Sequence, residues 1–192
     1  MTPLPDESPR AAVFFDRDGV LNHDHGYVHR WRDWQWMPQA CEAIRHLNER
    51  GVLVAVVTNQ SGIARGYYGE ADVRALHDRV QADLARHGAH VDIFSYCPHH
   101  PEGMIETYRR VCACRKPAPG MLLDILATTG IESANTLLIG DKPSDLAAAK
   151  AAGVPAILFD HSLSLLDIVR GWEVSRRVCA GGSDAPSDRA PR

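Results

Sequence analysis

Apolar residues gather in five short runs, 11–15, 52–57, 91–96, 136–140 and 156–159, each bounded by polar or glycine-containing turns. Runs this short, rich in Val, Ile, Leu and Phe and without strict alternation, predict strands covered on both faces. Between them the period changes. Ala40, Ile44 and Leu47 share one face of a helix that Pro38 opens and Gly51 stops, and Val73, Leu76, Val80 and Leu84 do the same over 70–87. Pro117 introduces a further helix over about 121–129, another ends at Ala152 before Gly153, and a weaker helical pattern covers 165–169. Strands alternating with helices predict an α/β domain, a Rossmann-like parallel sheet flanked by helices. Residues 22–36 follow neither period. Their histidines, tyrosine and tryptophans predict a loop that faces a ligand.

Length and charge narrow this picture. A chain of 192 residues with 45% hydrophobic content supports one domain with a substantial core. We expect a leader over 1–10, the domain over 11–170, and a divergent tail over 171–192 whose Gly, Ser, Asp and Pro from 181 onward favour disorder. The net charge of −3, with basic residues scattered apart from pairs such as Arg109-Arg110 and Arg115-Lys116, offers no footprint for a nucleic acid. No apolar run approaches the ~20 residues of a membrane span, and residues 1–10 lack the apolar core of a signal peptide. The cytoplasm is the expected compartment.

The strand ends carry the candidate chemistry. The first run stops at Asp16-Arg17-Asp18-Gly19, two carboxylates where open α/β sheets place their ligands. Carboxylates this close repel unless a cation or a proton separates them, so the pair predicts a magnesium site, a nucleophile beside a general acid, or both. The second run ends at Thr58-Asn59-Gln60-Ser61-Gly62, whose hydroxyl and turn amides suit phosphate oxygens. The fourth ends at Asp141-Lys142-Pro143-Ser144-Asp145. Asp141 completes an oxygen-rich magnesium set with Asp16 and Asp18, while Asp145 caps the helix or supports the site from behind.

The third run leads into Cys97-Pro98-His99, and Cys112-Ala113-Cys114 follows. Cys-X-His with Cys-X-Cys supplies four soft or borderline ligands on two knuckles, the pattern of a closed structural zinc site, with His99 preferred over His100. Such a site would staple a long loop and fix Arg115 and Lys116, which follow at once, for phosphate recognition. Cys41, in an amphipathic helix, reads as an inert core residue.

These strand ends, with Thr58-Asn59, Lys116 and Gly140-Asp141-Lys142, resemble the haloacid dehalogenase-like superfamily of aspartate-nucleophile phosphatases. The zinc loop narrows the resemblance to the histidinol-phosphatase and heptose-bisphosphatase subfamily. Asp24-His25-Gly26-Tyr27-Val28, the string from Thr58 to Gly66, and Cys97-Pro98-His99-His100-Pro101 favour its heptose branch over the histidinol-phosphate branch. The resemblance spans roughly 13–153 and thins beyond. It implies a core without a large cap domain, usually monomeric, that removes the 7-phosphate of a heptose 1,7-bisphosphate for nucleotide-activated heptose and lipopolysaccharide biosynthesis. It also implies roles: Asp16 as nucleophile, Asp18 as general acid and base, Thr58 and Lys116 stabilising the phosphoryl group, and magnesium on Asp16, the Asp18 carbonyl and Asp141. Asp24, His25, Gly26, Tyr27, Asn59, Gln60, Ser61, Arg115 and Lys142 would contact the substrate. A non-catalytic, zinc-stapled binding protein is the competing expectation from a different class.

Overall fold

The computed structural model describes residues 11–180, with side chains up to residue 175. Five strands form one parallel sheet in the order β3-β2-β1-β4-β5: β1 (Ala12–Phe15), β2 (Leu53–Asn59), β3 (Ile93–Cys97), β4 (Thr136–Gly140) and β5 (Ala156–Leu158). β1 is central, with Phe15 opposite Val56 on one side and Ile139 on the other. The chain steps outward from β1 to β3 and then returns to pair β4 on the other side of β1. Strand order therefore reverses beside β1, and the crevice at the C-terminal ends of β1 and β4 is the topological switch point.

Alternation along the strands divides the core into two layers. Val13, Phe15, Val54, Val56, Leu137 and Ile139 face a cluster supplied by α1 (Ala40–Asn48), α3 (Glu70–Arg86) and α6 (Leu165–Ala180). Ala12, Phe14, Ala55, Val57 and Leu138 face the opposite cluster, with Met121, Leu122 and Ile125 of α4 (Gly120–Thr129) and Ala148 and Ala149 of α5 (Pro143–Ala152). Burying Phe14 and Phe15 fully, on opposite faces of the same strand, contributes roughly 2–3 kcal/mol each.

Two local expectations change. The segment after β2 forms a one-turn helix, α2 (Ser61–Ala64), where only a turn was expected. α6 also continues from Leu165 to Ala180, beyond the short pattern expected at 165–169 and across the boundary placed at 170. Leu165, Ile168 and Val169 are buried, and Glu173 farther along pairs with both His46 and Arg50 of the α1 region. This tertiary contact, not local periodicity, carries the helix onward. The expected leader at 1–10 and the tail from 181 lie outside the described residues.

Among the described residues no second domain covers the sheet. The segments after β1 and β3 close over the crevice instead, and no described helix is long and apolar enough to cross a membrane.

Candidate active site

Asp16 leaves β1 at the switch point and is 5% exposed. Its Oδ1 accepts the Arg17 backbone N–H at 2.7 Å and meets the Lys116 ammonium at 3.0 Å. Burial is the main cause that lifts the Asp16 carboxyl to about 6, with Lys116 opposing the shift and Asp145 and Asp18 adding to it. One acid oxygen from each of Asp16, Asp141 and Asp145 lies within 4.8 Å of the others. Burial also raises Asp141, whose Oδ1 is enclosed without a partner. The buried Lys116 ammonium faces Asp16 and Asp145, and the half-exposed Lys142 ammonium stands 3.8 Å from Asp141 Oδ2, so three carboxylates meet two ammoniums. Excess negative charge and an enclosed, unpaired carboxylate oxygen fit a hard divalent cation.

Gly19 makes that cluster possible. A Cβ there would lie 2.2 Å from Asp141 Oδ2, and its φ of +92 is in the region glycine favours.

Asp18 turns its side chain away from the acid cluster. Its Oδ1 accepts Asn22 Nδ2 at 3.0 Å and its Oδ2 accepts Gln60 Nε2 at 3.0 Å, while the Arg17 guanidinium donates to both oxygens. Arg17 is fully buried and also donates to the Val28 carbonyl of the loop after β1. An intramolecular cation this deeply buried needs a partner, and Asp18 supplies it.

Thr58, at the end of β2, is 1% exposed and its Oγ1 accepts Gln60 Nε2 at 2.9 Å. The Lys116 ammonium donates to the Val57 carbonyl at 2.7 Å and pairs ionically with Asp16 at 3.0 Å and Asp145 at 2.6 Å. Asp145 both braces Lys116 and accepts the Lys142 backbone N–H at 2.9 Å, which caps α5. Asn59 exchanges two hydrogen bonds with the Lys116 backbone. The side chains of Asn59 and Gln60, expected to contact substrate, are therefore spent inside the protein: Asn59 places Lys116, and Gln60 lies behind Asp18.

The remaining expected contacts ring the crevice. Although burial opposes its charge, the Gly26 N–H and Lys142 hold Asp24 below the usual carboxylate range. Asp24 pairs with Lys142 at 3.2 Å, joining the loop after β1 to the loop after β4. Tyr27, at a positive φ of 56, stacks edge-on against exposed Tyr67. His25 is exposed and contacts Gln35. Ser61 begins α2 and is half-buried. Arg115 donates to the His99 carbonyl, so the Cys/His knuckle holds its position.

Donor atoms of Cys97, His99, Cys112 and Cys114 also lie within 4.8 Å of one another. The sulfurs are 3.2 to 3.5 Å apart, and His99 Nδ1 is 3.4 Å from Cys114 and 3.6 Å from Cys97. His100 turns away, its Nδ1 accepting the Glu102 N–H. Cys41 is buried, and burial pushes its thiol up to about 12, too high for reactivity near neutral pH.

Arg17, Asn22 and Tyr68 join the site without having been singled out for it. Arg17 is visible only as the residue between two acids. Nothing near Tyr68 in sequence marks its approach to Gln60.

Comparison with known proteins places this geometry. An HAD-hydrolase-like family model matches residues 113–163. The D-glycero-beta-D-manno-heptose-1,7-bisphosphate 7-phosphatase of Rhodopseudomonas palustris is 47% identical over 151 residues, covering 79% of this chain and 84% of the relative. The enzyme of the same name from Escherichia coli K12 is 46% identical over 143 residues, 74% and 75% of the two chains. The crystal structure of D,D-heptose 1,7-bisphosphate phosphatase from B. bronchiseptica, complexed with magnesium and phosphate, is 31% identical and superposes with a TM-score of 0.75 over 86% of this chain and 99% of that one. With the fold, the crevice acids and these relatives in agreement, the chain belongs to the D-glycero-beta-D-manno-heptose-1,7-bisphosphate 7-phosphatase family of HAD-like hydrolases and is a phosphoric monoester hydrolase.

Proposed function

We propose that this enzyme removes the 7-phosphate of D-glycero-D-manno-heptose 1,7-bisphosphate through a phosphoaspartate at Asp16. The convergence of Asp16, Asp141 and Asp145, three carboxylates against the buried Lys116 ammonium and the half-exposed Lys142, carries the reading, because that charge balance calls for a further cation beside a carboxylate nucleophile. The residues fit magnesium, held by Asp16, Asp141 and the Asp18 carbonyl; when bound it would neutralise charge between the carboxylate and the phosphate.

Lys116 keeps Asp16 oriented toward the crevice and Thr58 offers its hydroxyl proton to a phosphoryl oxygen. Asp16 attacks phosphorus, the bond to the sugar oxygen breaks, and Asp18 gives that oxygen a proton. Asp18 then takes a proton from water, which attacks the phosphoaspartate and frees Asp16. Asp24, Tyr27, Arg115 and Lys142 ring the crevice and recognise the sugar and its second phosphate.

Zinc on Cys97, His99, Cys112 and Cys114 would hold the loop that carries Arg115 and Lys116. Arg110 donates to His99 Nε2. Were the metal held through Nδ1, Nε2 would carry the ring proton and would no longer accept from Arg110. The product, a heptose 1-phosphate, suits nucleotide activation for lipopolysaccharide core or related glycans. The cytoplasm suits so impermeant a substrate, and a monomer is the state we propose.

Phosphate release with magnesium tests the assignment on both anomers of the heptose bisphosphate and on histidinol phosphate. The relatives' names lead us to expect the β anomer to be preferred. Preference for histidinol phosphate would overturn the substrate and leave the chemistry standing.

A further inference from the structure

Gln60 is 1% exposed, and its amide is fully engaged. Nε2 donates to Asp18 Oδ2 at 3.0 Å and to Thr58 Oγ1 at 2.9 Å, and Oε1 accepts the Tyr68 hydroxyl at 2.8 Å. One buried amide therefore spans the acid that must meet the leaving group and the hydroxyl that must meet the phosphate. We infer that Gln60 and Tyr68 are positioning residues: together they set the direction of the Asp18 carboxyl without touching substrate. The inference rests on the proposed role of Asp18 as general acid.

The geometry gives each residue a distinct task. Asp18 has one oxygen held from the Asn22 side and the other from the Gln60 side, with Arg17 across both. Of the two neutral arms, Asn22 comes from the same β1 loop as Asp18, whereas Gln60 reaches across from the end of β2. A neutral donor steadies the carboxyl without the large electrostatic penalty that a second cation would impose on its protonation. Because Thr58 Oγ1 accepts from Gln60, the threonine keeps its own proton for a phosphoryl oxygen.

The Asp18 carboxylate, which only accepts, draws the Nε2 end of the Gln60 amide toward itself, and Tyr68 braces the other end by donating its hydroxyl to Oε1. A reversed amide would set two acceptors against each other. Burial pushes the Tyr68 phenol up to about 12, so the hydroxyl keeps its proton across the working range. The ring itself cannot retreat. A Cβ at Gly62 would fall 2.2 Å from the Tyr68 ring, so glycine there admits the ring, and His29 stacks on it at 4.5 Å with planes 14° apart.

His29 also brings in the loop after β1. Its Nδ1 lies 2.8 Å from the Tyr27 carbonyl, and Arg17 reaches the neighbouring Val28 carbonyl. The loop that carries the expected substrate contacts Asp24 to Tyr27 thus rests on both arms holding Asp18. Misplacing an acid by a fraction of an ångström is costly because proton transfer needs the reacting atoms aligned.

A leaving-group comparison tests this. A sugar oxygen leaves poorly without a proton, whereas p-nitrophenolate needs none, and kcat/KM reports the step in which the leaving group departs. Tyr68→Phe removes one hydroxyl and keeps the ring on Gly62 and His29. It should lower kcat/KM on the heptose bisphosphate about tenfold through kcat, and change p-nitrophenyl phosphate less than about twofold. Gln60→Leu should show the same bias on top of a loss shared by both esters, since it also frees Thr58. Equal losses on the two esters in Tyr68→Phe, or no loss on either, would overturn the inference. Asp18→Asn serves as the reference: if Asp18→Asn is strongly selective while Tyr68→Phe is not, only the positioning roles fall. If Asp18→Asn itself shows no selectivity, the general-acid reading falls and takes the inference with it.

Discussion

Asp16 is ionised at a cost. Burial lifts its carboxyl to about 6, and the cluster around it is acidic. For an acid raised in the fold, the penalty grows as pH rises from the unfolded value of 3.8 through about 6 and is complete above that. Asp16→Asn removes the penalty, while Lys116 keeps Asp145 and the Val57 carbonyl. In metal-free protein near pH 7.5 the variant should therefore be more stable by roughly 1–3 kcal/mol, read from urea unfolding, although turnover is lost. A less stable Asp16→Asn would mean that the lost Lys116 pair outweighs the relief. Gly19→Ala makes the complementary prediction. Its Cβ collides with Asp141, so magnesium affinity by titration calorimetry should fall at least ~10-fold; unchanged affinity would place the ion elsewhere. Asp16, Asp18 and Asp141 stand out in the sequence because strand ends are predictable and bare acids there are conspicuous. Tyr68 and Arg17 do not, because their contribution depends on which buried partner tertiary packing brings within 3 Å.

At the level of elements, α3 and the Cys/His loop are joined by polar contacts that no periodicity reveals. Glu70, at the start of α3, accepts the hydroxyls of Tyr96 on β3 and of Tyr108 in the loop, each at 2.7 Å. Deeper along α3, His77 stacks on Phe94, and burial depresses it to about 3 from 6.5. The unfolded chain therefore takes up this proton first. Stability from this site is full above 6.5 and drains as pH falls toward 3, at roughly 1.4 kcal/mol per pH unit. His77→Phe should be about 2 kcal/mol less sensitive to a shift from pH 7 to pH 5, measured by urea unfolding; parallel profiles would contradict the assignment. Strands and the larger helices were legible from apolar runs and caps. The extent of α6 was not, since its later turns are held by Glu173 reaching His46 and Arg50.

Across the described residues as a whole, a helix-flanked parallel sheet presents Asp16 at its switch point, and loops rather than a second domain enclose it. A zinc ion on Cys97, His99, Cys112 and Cys114 would then matter beyond its own loop, because Arg115 and Lys116 follow that cluster directly and stand at the switch point. Stripping the metal with a chelator should lower the melting temperature by about 10 °C and depress turnover with magnesium in excess. Loss of neither, with elemental analysis showing no zinc, would remove the loop from the account. The central claim concerns one covalent bond. Enzyme quenched in acid during turnover of the heptose bisphosphate, reduced with borohydride and digested, should carry homoserine in place of aspartate at position 16, read by mass spectrometry. Reduction at another acid, or at none while phosphate is being released, would contradict Asp16 as the nucleophile.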